Sequence, residues 1–183
     1  PSQLVGAPAG GTWVGAAGED GTGHELEPDS AMLIASVTKT FVAAEVLLLA
    51  SRGEVDLDAP IDSYLDLPFD TAGATVRQVG TMTSAFPNLP LWLPGYVARH
   101  AHDPLTATDL VRMSRHQPRA GLLGHPGNYN GLNYVILGML VEKVTGEPLA
   151  SVLRDDLVDP AGLERLWMQT GEKPEPPLAY PAS

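Results

Sequence analysis

The sequence predicts one helix-rich domain of the α/β or α+β class. Its 183 residues are 44% hydrophobic and 18% charged, a balance typical of a single folded globular domain. Two short apolar segments surround a Gly/Pro turn between Leu4 and Gly18, which predicts a β-hairpin at the start. Further along, apolar residues recur with the spacing of helices. These observations leave the choice between α/β and α+β open.

The first long helix is predicted from Ser36, and we expect Ser36 and Lys39 to lie on the first turn of a buried helix. The residues that follow helical spacing there are Phe41, Val42, Glu45, Val46, Leu48 and Leu49. Gly53 ends the pattern. A short segment from Ile61 to Leu65 and a second helix at Val76 to Met82 come next.

Residues Phe86 to Pro104 contain several prolines and little periodicity, which predicts a long ordered loop. A helix is then predicted behind an N-cap at Thr106, with Asp109 in its first turn, and it runs to about His116.

Tyr134 begins a helix that is apolar nearly all round, so we expect it to be buried, with Gly146 as its stop. A short helix over Leu149 to Leu157 follows. The proline-rich tail at residues 173–177 is predicted to be irregular.

Charge and composition exclude several classes of protein. Eleven basic against 22 acidic residues give a net charge of −11, which is the wrong sign for binding nucleic acid or anionic lipid. The absence of cysteine excludes a disulfide scaffold, a thiol nucleophile and thiolate metal sites. The longest apolar run, Phe41 to Ala50, contains Glu45 and is too short to span a bilayer. We therefore expect no membrane span, and no signal peptide within these residues.

The first chemically suggestive pattern is Ser36-Val37-Thr38-Lys39. Its spacing places Ser36 on the opening turn of a helix and Lys39 one turn later on the same face. A neutral lysine amine in contact with the hydroxyl can accept its proton, and the helix N-terminus stabilises negative charge there. The non-catalytic alternative is an N-cap serine followed by a solvated lysine.

Several motifs along the chain, which together resemble a known family, favour the catalytic interpretation of Ser36 and Lys39. They are IASVTKTFVA (34–43), GEVDLDAP (53–60), ATVRQVGTMTSA (74–85), YNGLNYVILG (129–138), VEKVTG (141–146) and PAGL (160–163). Together they resemble the serine β-lactamase family, in its class C-like branch of β-lactamases, D-alanyl-D-alanine carboxypeptidases and related esterases. The resemblance implies an α+β fold of the β-lactamase/transpeptidase type, with an antiparallel sheet flanked by helices and a helical subdomain.

The resemblance also implies site residues. Ser36 corresponds to the acylated nucleophile, Lys39 to its activating partner and Tyr129 to the tyrosine of the family's YxN motif, which shuttles a proton to the leaving group. Asn130, Gly131 and Trp92 are the candidate substrate-binding residues. Trp92, together with Tyr96, either lines a substrate cleft or merely anchors its loop.

The chain departs from the family pattern at three places. Gly131 stands where the motif has Asn, so we expect Tyr129 to face Ser36 with looser geometry than usual. Only Asn128 separates Pro126-Gly127 from Tyr129, which implies a shortened loop. The family's third motif, Lys-Thr-Gly or His-x-Gly, is absent after Gly146. We therefore expect a single domain over residues 1–183 that lacks its C-terminal part, with a second chain or missing segment completing the sheet.

A metal site has weak support. His100 and His102 lie beside Asp103, but spacing of two places residues on one side only in a strand, and a solvated loop is the better interpretation. We expect no metal and no cofactor.

The function favoured by the sequence is acyl transfer from a lactam, D-Ala-D-Ala peptide or ester to water through an acyl-enzyme at Ser36. The expected partner is a small-molecule or peptidoglycan-like substrate. The alternative is a binding or regulatory protein that keeps the pocket without turnover, and metal-dependent hydrolysis ranks third. The resemblance favours a secreted, cell-envelope or periplasmic location, with a cytoplasmic one left open.

Overall fold

The strands form two small ribbons. A computed structural model describes residues 3–6, 12–99, 105–126, 129–173 and 178–179. Strand β1 (Gln3–Gly6) pairs antiparallel with β2 (Thr12–Gly15), with Val5 opposite Trp13, which confirms the predicted hairpin. Strand β3 (Ala31–Met32) pairs in parallel with β4 (Leu178–Ala179). Within the described ranges the two ribbons are separate sheets.

Helices dominate the rest of the described chain. Their bounds are α1 Thr38–Ser51, α2 Val76–Gly80, α3 Leu93–Arg99, α4 Ala107–Ser114, α5 Gly131–Thr145 and α6 Leu149–Leu153. Short 3₁₀ turns lie at Ala35–Val37 and Ile61–Ser63. A π-helical turn, Arg154–Val158, continues α6. No helix in these ranges is long and apolar enough to cross a membrane.

Helix α5 is the centre of the core, as its apolar sequence predicts. It packs against α1, α2, α4 and α6. Its fully buried apolar side chains are Leu132, Ile136, Leu137, Leu140 and Val141. Gly146 ends the helix with φ of 76°, a left-handed conformation that glycine adopts without a Cβ penalty. The buried face of α5 therefore fixes where its first turn lies.

Capping boxes fix the starts of two helices. Thr106 caps α4 through the backbone N–H of Asp109, and Asp109 bonds back to the Thr106 N–H, which confirms the predicted cap. Thr75 and Gln78 form the same arrangement at α2. That helix ends at Gly80, earlier than predicted, because Met82 has φ of 58° and cannot continue it.

The prediction of a loop from Phe86 to Pro104 was wrong in part. Helix α3 lies inside it and contains Pro94 in its first turn. Proline is tolerated there because the first-turn N–H groups have no partner within the helix. A proline that indicates a loop thus also fits a helix start. His100, His102 and Asp103 lie outside the described residues, as do residues 174–177 of the predicted irregular tail.

The last predicted helix, Leu149 to Leu157, is α helix only to Leu153, where the π turn takes over. Arg154 begins this turn and is held by the carboxylates of Glu172 and Asp159.

Candidate active site

A sharp backbone turn presents Ser36 at the start of α1. Ala35, directly before it, has φ of 44°, a left-handed conformation that is unfavourable for a residue with a Cβ. The Thr38 hydroxyl donates to the Ala35 carbonyl at 2.7 Å and stabilises the turn. Strained residues of this kind cluster at functional sites. The turn leaves Ser36 exposed.

Lys39 lies one turn along, as the spacing predicts. Its Nζ is 3.2 Å from Ser36 Oγ, so the expected hydrogen bond is present. Lys39 is half-buried while Ser36 is exposed, so α1 begins at the surface, although the sequence favours a buried start.

Tyr129 reaches the same hydroxyl from a segment 93 residues away. Its phenol donates to Ser36 Oγ at 2.6 Å. Lys39 Nζ lies 4.9 Å from the centre of the Tyr129 ring. The neighbouring Lys39, and then the hydrogen bond with Ser36, hold the pKa of Tyr129 below its ordinary value of 10. The phenolate therefore forms more readily here than in water.

Two asparagines hold the segment that carries Tyr129. Asn88 Nδ2 donates to the Tyr129 carbonyl at 3.3 Å. Asn130 is buried and donates to the carbonyls of Phe86 and Pro87 at 3.0 and 3.1 Å. Its Oδ1 accepts from the Leu132 N–H and caps α5. In the described contacts, the Asn130 amide thus bonds only to backbone groups of the protein itself. A role for Asn130 in substrate binding stays a prediction.

Gly131 has no side chain where the YxN motif has an amide. A Cβ built on Gly131 would lie 3.3 Å from Leu89 Cδ1, which is tighter than an ordinary contact. The 2.6 Å contact of Tyr129 with Ser36 is present without an amide at position 131. Gly127 and Asn128, in the shortened loop, lie outside the described residues.

Ser36 opens into a cleft of about 550 Å³. Besides Ser36, Lys39 and Tyr129 it is lined by Thr40, Ala43, Ala44, Leu47, Met82 and Tyr134. Met82 and Tyr134 were not predicted as site residues from the sequence. Tyr134 belongs to the same motif as Tyr129, on the first turn of α5, and that was the available signal.

Trp92 is not among the described residues that line this cleft. Its ring lies 6.0 Å from that of Tyr96 in an edge-on arrangement, and it is 52% exposed. Its part in substrate binding also stays a prediction.

The described residues contain no group of three or more His, Asp or Glu side chains that could hold a metal ion. The candidate pair His100 and His102 lies outside them.

Comparison with curated proteins finds related hydrolases and penicillin-binding proteins. The chain is 32% identical over 157 residues to esterase EstB of Burkholderia gladioli, covering 77% of the chain and 39% of that protein. It is 26% identical over 141 residues to penicillin-binding protein 4* of Bacillus subtilis, covering 75% and 30%. The chain thus spans well under half of these relatives.

The solved structures that resemble this chain also include hydrolases. D-amino acid amidase from Ochrobactrum anthropi SV3 is 30% identical, with a TM-score of 0.78 over 94% of this chain and 46% of the amidase. A D-stereospecific amidohydrolase from Streptomyces is 29% identical, with a TM-score of 0.73 over 85% and 47%. The fold is therefore of the β-lactamase/transpeptidase type, represented in the described residues mainly by its helices. Residues 4–182 match the beta-lactamase family, and the chain belongs to that family.

Proposed function

We propose that the protein is a serine hydrolase that forms an acyl-enzyme through Ser36. One observation carries the proposal: Ser36 Oγ is hydrogen-bonded to both Lys39 Nζ and Tyr129 OH in an open cleft. A serine hydroxyl needs an adjacent base to become a nucleophile, and a second proton carrier to release the leaving group. An esterase and an amidase among the relatives support the same class of reaction.

The contacts support one role for each group. Ser36 Oγ attacks the substrate carbonyl carbon, and its proton passes to the neutral amine of Lys39. The tetrahedral intermediate collapses as the bond to the leaving group breaks, and Tyr129 delivers the proton that this group takes up. Water then attacks the acyl-enzyme and gives a proton to the Tyr129 phenolate. The bond to Ser36 Oγ breaks as the Lys39 ammonium returns its proton, which releases the acid and restores the Ser36 hydroxyl.

The lining of the cleft favours uncharged substrates. Lys39 is the one basic side chain among the described lining residues, none of them is acidic, and the remainder is largely apolar. Gly131 and Leu89 offer no amide beside Tyr129. An uncharged ester or amide fits this surface better than a β-lactam, whose carboxylate and acylamide groups need polar partners.

We also propose that residues 1–183 form part of one domain whose sheet is completed beside Ser36 by a further segment or a second chain. The chain spans 46–50% of the D-amino acid amidase structures it matches. Two-stranded ribbons are marginal by themselves in water. Leu33, Ile34 and Val37, which flank Ser36, are 51%, 39% and 58% exposed. The activity measurements below accordingly apply to the polypeptide at its natural length.

The substrate preference is tested by comparing kcat/KM for p-nitrophenyl butyrate with that for a cephalosporin. We expect the ester to be favoured by at least about a hundredfold. Gly131→Asn alone forces Leu89 to move and lowers both rates, whereas Gly131→Asn with Leu89→Ala makes room for the amide and raises cephalosporin turnover. Fast cephalosporin hydrolysis by the unmodified protein would contradict this preference, as would a Gly131→Asn variant with both rates unchanged.

Cephalosporin that acylates Ser36 but is never released would favour the alternative of a binding or regulatory protein. The missing amide at Gly131 is the observation behind that alternative.

Tyr129→Phe is expected to lower kcat for ethyl butyrate by about a hundredfold with little change in KM, because the alkoxide leaving group of this ester needs the proton that Tyr129 delivers, and the variant keeps only the ring. In the unmodified protein the rate should fall as the pH rises through the lowered pKa of Tyr129, below 10, because the phenolate has no proton to deliver, and this fall should be absent from the variant. Tyr64→Phe, away from the cleft, serves as control. An identical pH–rate profile in Tyr129→Phe would remove the phenol from the mechanism.

A further inference from the structure

Lys39 has no counter-ion among the described residues. The ion pairs found in the described part of the chain do not include it. Its Nζ instead contacts the Ser36 hydroxyl and faces two aromatic rings, at 4.9 Å from the centre of Tyr129 and 5.8 Å from that of Tyr134. A cation is attracted to the face of an aromatic ring within about 6 Å. Two rings therefore occupy the place where a carboxylate or amide would hold an amine.

Tyr134 is fixed in place from both ends. Its backbone belongs to the first turn of α5, whose next turns are buried in the core. Its phenol donates to the carbonyl of Gly80, the last residue of α2, at 3.0 Å. The ring is half-buried and lines the Ser36 cleft. The ring of Tyr134 is therefore held in one position beside the cleft, whereas the ring of Tyr129 is 58% exposed.

The two tyrosines of the cleft have opposite tendencies to ionise. Burial, and then the nearby Tyr129, raise the pKa of Tyr134 above 10, whereas Lys39 and Ser36 lower that of Tyr129. Two groups whose pKa values are shifted in opposite directions take different roles in a site. Tyr134 stays protonated, keeps its hydrogen bond to Gly80 and does not compete for the proton of Ser36.

We propose that Tyr134 is a positioning residue whose ring holds the Lys39 side chain against Ser36 and stabilises the ammonium that forms when Lys39 takes the serine proton. This inference rests on the proposed function of Ser36. Because position 131 has no side chain to orient Lys39, the ring supplies the missing constraint. Tyr134 acts through Lys39 and does not itself exchange a proton.

The kinetic test compares two variants. Tyr134→Phe keeps the ring and loses the bond to Gly80, whereas Tyr134→Met removes the ring and roughly conserves volume. We expect Tyr134→Met to lower kcat for p-nitrophenyl butyrate by about tenfold with KM within twofold, and Tyr134→Phe to stay within about threefold of the unmodified protein. Tyr64→Met, which removes a half-buried ring elsewhere, should leave kcat unchanged. Tyr134→Leu repeats the measurement if Tyr134→Met does not fold.

A second measurement does not depend on activity. Residues 1–183 contain three lysines, Lys39, Lys143 and Lys173. Reductive methylation of the natural-length polypeptide with ¹³C gives each lysine an NMR signal, and the signals of these three are assigned by their loss in Lys→Arg variants. Ring currents should shift the Lys39 signal upfield. Tyr134→Met should move it back toward the positions of the other two, and Tyr134→Phe should leave it in place.

The outcomes separate the two proposals. An unshifted Lys39 signal, or one that Tyr134→Met leaves in place, would overturn the positioning role whatever the activity. Equal losses of kcat in Tyr134→Phe and Tyr134→Met would also overturn it, because the Gly80 bond would then be the important contact. If Ser36→Ala retained full activity while Tyr134→Met moved the Lys39 signal as expected, the proposed function would fail and the placement of Lys39 by Tyr134 would stand.

Discussion

Replacing Ser36 by alanine is expected to lower kcat/KM for p-nitrophenyl butyrate by about a thousandfold or more, since the variant has no nucleophile at the point where Lys39 and Tyr129 converge. Ser51→Ala is the matched control, because Ser51 is an exposed serine at the other end of α1 whose hydroxyl bonds only to the Leu48 carbonyl in the described contacts. Its rate should equal that of the unmodified protein.

Lys39→Met should cause a loss of similar size, because no other basic side chain lines the cleft in the described residues. The double variant Ser36→Ala/Lys39→Met should be no slower than Ser36→Ala, since groups that act in one step are not additive. A Ser36→Ala variant with normal turnover, or losses that multiply in the double variant, would show that Ser36 and Lys39 do not act together.

Replacing Glu45 by glutamine is expected to raise the free energy of unfolding at pH 8 by up to about 3 kcal/mol, the second large effect. Glu45 lies on α1 with its side chain fully buried beside Val42, Val46 and Leu49. Both carboxylate oxygens are buried without a hydrogen-bond partner in the described part of the protein. An unpaired buried charge is costly, and an amide removes it.

The pH dependence follows from the same burial. Desolvation, and then the nearby carboxylate of Asp156, raise the pKa of Glu45 from 4.5 to about 7. Between these values the folded protein keeps a proton that the unfolded chain loses, so this contribution to stability is fully retained below pH 4.5 and is lost as the pH rises to about 7. The loss should be largely absent from Glu45→Gln.

Urea unfolding of both proteins from pH 4.5 to 8 measures this effect. Glu54→Gln, at an exposed position close in sequence, is the control and should keep the pH dependence of the unmodified protein. Parallel curves for Glu45→Gln and the unmodified protein would mean that Glu45 is paired or solvated in solution.

The structural elements whose signals lie within a few neighbouring residues were predicted correctly from the sequence. The hairpin follows from a Gly/Pro turn between apolar segments, and the Thr106 cap and the Gly146 stop follow from residues within one turn of the helix end. Helix α3 was missed because Pro94 indicates a loop as readily as a first turn. Glu45 follows the apolar spacing of α1, but the sequence does not reveal which neighbours surround its carboxylate.

In the candidate site, too, one contact follows from the local sequence and the others do not. The contact of Lys39 with Ser36 follows from helical spacing alone. Tyr129 comes from 93 residues away, and only resemblance to a family motif connected it to Ser36. Tyr134 was overlooked because its role depends on packing between α5 and the end of α2, which no local pattern encodes.

Mass spectrometry after reaction with a fluorescent penicillin, which would form an acyl-enzyme, or with a fluorophosphonate, which would form a phosphonyl-serine, tests the nucleophile directly. We expect one adduct per polypeptide, located by peptide mapping on Ser36, absent from Ser36→Ala and formed more slowly by Lys39→Met. An adduct on another residue, or full labelling of Ser36→Ala, would contradict the assignment of Ser36 as the nucleophile.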